Sequence, residues 1–179
     1  MENVTLIPGW MKSVKFYGDY QGPDIWKGIS ENKIKTDCVV AHSLGCNYLF
    51  SECELKNVQQ IILVNPLIPK RGVISWMYRW IKYALSGALA YDKQNSFIYF
   101  PYAFLRYLLI VNVDIIKKIE LFGKDKVVVV RGSRDKYFCD DVAAKNIRAS
   151  GITLFEADNL GHEWCKEYDS AVKQFIKQK

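Results

Sequence analysis

Five short runs of apolar, largely β-branched residues recur along the chain, at positions 4–7, 38–41, 61–64, 127–131 and 153–157. Most are apolar at every position rather than at alternate ones. That is the pattern of strands covered on both faces, as in a parallel sheet packed between helices. Helical spacing fills the intervals. Residues 24–32 carry Ile25, Trp26 and Ile29 on one side behind Pro23, a residue suited to a helix start. Further helices are predicted over 44–55, 114–121, 140–149 and 167–177, the last with Ala171, Val172, Phe175 and Ile176 as its inward face. Alternating strand and helix predicts a mostly parallel, doubly wound α/β sheet. Residues 12–22 fit either a short strand at 14–17 or a loop.

The alternation breaks between residues 67 and 112. This segment holds eleven aromatic residues from Trp76 to Tyr107 and reads as two or three helices inserted between the third and fourth strands, the last starting near Pro101. The domain organisation expected is therefore a core of residues 1–66 and 113–179 with a helical cap at 67–112. Charge sharpens this division. The chain's formal charge is +6, and the segment carries Lys70, Arg71, Arg79, Lys82, Lys93 and Arg106 against the single acid Asp92, leaving +5 there and +1 elsewhere. A basic segment of this kind favours an anionic partner. Its bases interleave with a pocket-like apolar sequence and match no nucleic-acid-binding motif, so nucleic acid is not expected.

With 179 residues, half of them apolar, the chain is long enough to bury one sizeable core. The apolar stretch at 96–113 is interrupted by Pro101 and Arg106 and falls short of a membrane span. Five cysteines, an odd number with no C-x-x-C pair and no secretory leader, predict a reducing cytoplasm. Only two histidines are present, neither at a familiar ligand spacing, so neither a metal nor another cofactor is expected.

In open α/β sheets ligands collect beyond the carboxyl ends of the strands. What each strand delivers there is therefore informative. The second run leads into Ala41-His42-Ser43-Leu44-Gly45, a serine at a strand-to-helix turn with small residues two positions to either side. Such a turn strains the nucleophile's backbone, and the small neighbours let strand and helix approach closely. The fourth run leads into Gly132-Ser133-Arg134-Asp135, and the fifth into Asp158-Asn159-Leu160-Gly161-His162. A serine hydroxyl is a poor nucleophile at neutral pH and needs a base oriented by a carboxylate. Ser43, Asp135 and His162 occur in that order, each just past a strand end. Plainer roles exist for each: Ser43 as a helix N-cap, Asp135 as a turn former, His162 as a packing or capping group. Asp158 is the rival acid. His42 is read as structural, Asp140 and Asp141 as a helix start, and Cys46 and Cys53 as small packing residues.

These motifs, with Leu6-Ile7-Pro8-Gly9-Trp10 near the start, resemble the α/β-hydrolase superfamily over nearly the whole chain. Pro8 stands where that family commonly has histidine and Ala41 where it has glycine, and the chain opens at the family's third strand, without its amino-terminal hairpin. The resemblance implies a compact α/β-hydrolase fold with an inserted helical cap. It also implies an oxyanion hole from the backbone N–H groups of Trp10 and Leu44. Pro-Gly-Trp, His-Ser-Leu-Gly and the arginine-bearing cap resemble, more narrowly, the short bacterial pimeloyl-acyl-carrier-protein methyl ester esterases of biotin synthesis. That likeness implies a carboxylesterase acting on the terminal methyl ester of a carrier-borne acyl chain. An acidic acyl carrier protein would then be its partner, with Arg71, Arg79, Lys82 and Arg106 as candidate contacts. Two alternatives stay open: a broad esterase or thioesterase acting on short acyl or CoA esters, and an inactive hydrolase fold that only binds.

Overall fold

The computed structural model describes residues 3–28, 33–92 and 97–176. Five parallel strands form one sheet in the order β1-β2-β3-β4-β5: β1 (Val4–Ile7), β2 (Cys38–His42), β3 (Gln60–Val64), β4 (Val127–Gly132) and β5 (Thr153–Ala157). The register aligns the carboxyl ends, with Ile7 beside Ala41, His42 beside Val64, Val64 beside Val130 and Gly132 beside Ala157. The turns that follow the strands therefore emerge along one rim.

Side chains alternate between the two faces of each strand. Val39, Ala41, Ile61, Leu63, Val127 and Val129 are buried with residues of α1 (Leu44–Glu52), α4 (Ile115–Phe122) and α5 (Asp141–Ala149). Leu6, Val40, Ile62, Val64 and Val130 are buried with the turn at Val14–Tyr17 and with Tyr168, Ala171 and Val172 of α6 (Lys166–Ile176). Helices thus cover both faces, as the uninterrupted apolar strands require. Every residue of α1 from Leu44 to Phe50 is buried. Arg131 of β4 is buried as well, and its charge is met by Asp141 at 2.6 Å and Glu156 at 3.2 Å, the compensation a buried cation needs.

Several local expectations change. The helix predicted over 24–32 is a single 3-10 turn, Ile25–Lys27, which ends at Gly28 in the left-handed conformation; residues 29–32, including Ile29, lie outside the described residues. Residues 12–22 form a 3-10 turn at Val14–Tyr17, and Gln21 then makes an isolated bridge to Thr5 at the sheet edge. Helix α1 stops at Glu52 rather than 55, and the last helix starts at Lys166, its predicted end at 177 lying outside the described residues. Between β3 and β4 lie α2 (Val73–Leu85), a 3-10 turn at Phe97–Tyr99 and α3 (Phe100–Ile110), with Pro101 in the first turn of α3. Among the described residues no helix is long and apolar enough to cross a membrane.

Candidate active site

Ser43 sits between β2 and α1 with φ 53° and ψ −126°, a conformation that side chains other than glycine rarely adopt. The turn holds because its neighbours leave no alternative. The Ser43 amide continues the ladder to the Val64 carbonyl at 2.9 Å, and the Ser43 carbonyl accepts from the Cys46 amide at 3.0 Å. A Cβ on Gly45 would stand 2.6 Å from both the Ile7 and Pro8 carbonyl oxygens, so only glycine lets α1 approach the end of β1 this closely. Ala41, fully buried, meets the steric demand at the other side. Its carbonyl accepts from the Cys46 thiol. The Ser43 side chain caps no helix amide. Instead its Oγ lies 2.7 Å from Nε2 of His162.

His162 is brought there by the turn after β5, and its Nδ1 lies 2.6 Å from Oδ2 of Asp135 in the turn after β4. The structure therefore joins all three predicted residues, all buried. Asp135 is also a turn former: Oδ1 accepts from the amides of Tyr137 and Phe138 at 3.1 and 3.0 Å, and Oδ2 from that of Cys139 at 3.1 Å. Burial pushes its pKa up, but the adjacent imidazole and these amides outweigh it and hold the carboxyl below its ordinary value. It is thus an anion, able to stabilise an imidazolium. Asp158, the rival acid, is exposed. A Cβ on Gly132 would stand 2.1 Å from the Tyr168 hydroxyl and 2.4 Å from the Leu160 carbonyl oxygen, so a glycine here lets the histidine loop lie against β4.

Of the two predicted oxyanion donors, one adjoins Ser43 in sequence and the other lines the same cleft. Leu44 opens α1 immediately after Ser43, and Trp10 follows Gly9 in a turn closed by the Lys12 amide on the Gly9 carbonyl at 3.0 Å. Neither the Trp10 nor the Leu44 amide has an acceptor among the described residues. A Cβ on Gly9 would meet His42 Nδ1 at 2.8 Å and Ser43 Cβ at 3.3 Å, so this turn packs directly on the elbow.

Four further residues matter that the sequence reading did not single out. Asn65, at φ 47° just past β3, accepts from the Gly132 amide and donates toward the carbonyls of Gly161 and His162 and the Tyr168 hydroxyl. Lys12 pairs with Glu163 at 3.2 Å, and Tyr83 donates to the same carboxylate at 2.6 Å, one residue from His162. Burial would raise the Glu163 pKa, but the Lys12 cation holds it below its ordinary value. An asparagine past a strand end was the one signal available for these contacts; the rest depend on chain segments 75 or more positions apart.

The cleft at Ser43 and His162 is lined by Gly9, Lys12, Trp80, Tyr83, Leu89 and Phe138, with about 30 Å³ of free space. Trp10, Lys12, Trp80 and Leu89 also line an adjoining, mainly apolar pocket of about 100 Å³, together with Tyr91 and Phe100. Trp10 is the shared wall, its ring against those of Trp80, Phe100 and Tyr107.

Of the four cap cations expected as partner contacts, two are ion-paired within the protein. Arg71 and Arg79 both bond the Asp140 carboxylate, at 2.8 and 3.0 Å, tying α2 to the start of α5. Arg106 lies between the rings of Tyr48 and Tyr102. Lys82 is exposed and rests over Tyr78. Lys93 lies outside the described residues. Among the described residues no cluster of three or more histidine, cysteine or acidic side chains could hold a metal.

No protein-family model matches the sequence, and a search of curated proteins gives no match. Solved structures do match. An α/β hydrolase from a Medee basin deep-sea metagenome library aligns with a TM-score of 0.58 at 12% identity, over 98% of this chain and 89% of that one. E-2-(acetamidomethylene)succinate hydrolase gives 0.58 at 11% identity, over 97% and 90%. A structure from work on carboxylesterases of the thaumarchaeon Nitrososphaera gargenis gives 0.56 at 12% identity, over 97% and 89%. The chain has the α/β-hydrolase fold.

Proposed function

We propose that this protein is a serine carboxylesterase. The observation that carries the reading is the continuous contact from Ser43 Oγ through His162 to Asp135, at 2.7 and 2.6 Å, on a serine held at positive φ. His162 Nε2 takes the hydroxyl proton as Oγ attacks the ester carbonyl, and Asp135 stabilises the imidazolium that forms. The amides of Leu44 and Trp10 receive the oxyanion, an interaction worth about 3–4 kcal/mol per donor. The alcohol leaves with the proton from His162, and water, activated by the same imidazole, releases the acid. Hydrolases and esterases among the structural neighbours support this reaction class.

The apolar cavity beside the cleft suits the hydrocarbon part of an acyl chain. The narrower form of the reading is the terminal methyl ester of a pimeloyl chain carried on an acidic acyl carrier protein, in biotin synthesis. Its support is the sequence resemblance and the +5 segment. With Arg71 and Arg79 turned to Asp140, the exposed Lys82 becomes the first candidate for contact with such a carrier.

Fluorophosphonate labelling tests the reaction class. The folded chain takes the probe at Ser43, and Ser43→Ala loses both labelling and ester hydrolysis, with kcat lower by roughly 10⁴-fold or more; a folded chain that resists the probe removes the esterase reading. Mass spectrometry of the carrier-borne methyl ester tests the narrower form. Loss of one methyl with the thioester intact supports it, whereas thioester cleavage assigns thioesterase action.

A further inference from the structure

The Gly9 turn and the His162 loop both border Ser43, and one buried chain of hydrogen bonds joins them. The Gly9 amide donates to the Tyr17 hydroxyl at 2.7 Å, that hydroxyl lies 2.8 Å from His42 Nδ1, and His42 Nε2 lies 3.0 Å from the His162 carbonyl oxygen. Proton counting fixes the directions. Burial pushes the Tyr17 phenol well above its ordinary pKa, so it keeps its single proton, and its oxygen already accepts from Gly9. The His162 carbonyl can only accept, so the neutral His42 imidazole keeps its proton on Nε2, Nδ1 is bare, and the Tyr17 hydroxyl donates to it. Nε2 donates its proton to the His162 carbonyl. Every donor and acceptor in the chain is matched, and Tyr17 and His42 are at most 3% exposed.

We propose, on the basis of the serine-esterase reading, that His42 is a positioning residue which, with Tyr17, sets the Trp10 oxyanion amide and the His162 base in register around Ser43. Its role differs from that of Asn65, the other donor to the His162 carbonyl at 2.9 Å. Asn65 binds the histidine loop to the end of β4 through the Gly132 amide. His42 binds it to the oxyanion turn, where Gly9 is packed so closely that a Cβ would collide with Nδ1. The histidine before the nucleophile thus links two parts of the site that come from opposite ends of the chain.

The test compares the unaltered chain with His42→Ala, His42→Gln and Tyr17→Phe on a soluble p-nitrophenyl ester, with fluorophosphonate labelling rate and thermal melting measured alongside. His42→Ala lowers kcat and the labelling rate by roughly 10- to 100-fold, the scale of a misplaced reacting group, with KM within about twofold. His42→Gln, which can still donate to the His162 carbonyl, recovers part of the loss. Tyr17→Phe, which removes one hydroxyl from an otherwise intact ring, lowers kcat by about tenfold and serves if the alanine variant does not fold. Unchanged kcat in Tyr17→Phe and His42→Ala, or losses that match only the fraction unfolded, overturn the proposal. An unaltered chain that is folded but inert to both ester and probe removes the esterase reading and this inference with it.

Discussion

The strand-end turns and the inserted helices use their polar side chains in opposite ways. At the rim, Ser43, Asp135, His162, His42 and Asn65 are buried and bonded toward one another, so the polar groups converge on one cleft. In the inserted segment, Arg71 just ahead of α2 and Arg79 within it reach away to a single acid at the start of α5, while Trp80 and Tyr83 of α2 line the cleft and Phe100 of α3 lines the adjoining pocket. The proposed chemistry belongs to the rim, and the inserted segment supplies walls and a clamp. Position along a strand therefore predicts chemical role better than local charge does.

Removing one rim group tests this most severely. Asp135→Asn keeps the shape of the side chain but loses the anion that orients and stabilises the His162 ring. We expect kcat to fall by about 10³–10⁴-fold. Because the same carboxylate accepts three amides, stability should fall too, by about 1.5–3 kcal/mol in denaturant melts. A variant with near-normal turnover would show that the carboxylate only shapes the turn.

Acid should strike the rim next. His42 is fully buried, and burial first, then the neighbouring His162, lowers its pKa from the ordinary 6.5 to about 4; Glu163 opposes this shift, Lys12 adds to it, and Tyr17 completes the surroundings. As pH falls, the unfolded chain binds this proton first. His42 therefore removes stability as pH drops from about 6.5 to about 4, with no further contribution below that and none lost above it, a total of about 3 kcal/mol. The pH dependence of melting should be flatter over that window in His42→Gln. Equal slopes would show that His42 is not the titrating group.

Much of this rim was legible before the structure. The five apolar runs marked the strands because burial on both faces leaves no polar alternation, and the turns after them carried Ser43, Asp135 and His162 at sequence positions the sheet then aligned. Ala41, where the resemblance has glycine, is fully buried, and the close backbone contacts of the elbow fall on Gly45. The Tyr17–His42 link was not legible. It joins a 3-10 turn, a strand end and a loop 120 residues further on, and no local periodicity reports such a meeting. Ile25, Trp26 and Ile29 imitate helical spacing, but the described part of that stretch is only the short turn at Ile25–Lys27. The pairing of Arg71 and Arg79 with Asp140 was not legible either, because charge counted along a segment does not say which acid elsewhere will meet it.

Crowding the elbow gives a smaller effect. Ala41 is fully buried beside the Ser43 turn, so Ala41→Gly should keep activity, whereas Ala41→Val should cost about 1–3 kcal/mol by overpacking and lower turnover about tenfold. A fully active valine variant would mean that the turn has room to spare.

The smallest effect is expected where the inserted helices meet the core, and it separates clamp from chemistry. Asp140 caps α5 through the Ala143 amide at 3.1 Å while binding Arg71 and Arg79. Asparagine is as good an N-cap as aspartate, so Asp140→Asn removes the charge and keeps the cap. Both arginines are only partly shielded from water, which limits the pairing to about 1 kcal/mol of stability. Soluble-ester turnover should stay within about threefold, because Trp80 and Tyr83 are also held by Trp10 and Glu163. Freed arginines would at the same time add to the exposed positive charge at and just ahead of α2, so binding of an acidic carrier protein in low salt should strengthen rather than weaken. If Asp140→Asn instead lowers free-ester turnover as far as Asp135→Asn does, the clamp is part of the machinery and the division between rim and wall fails.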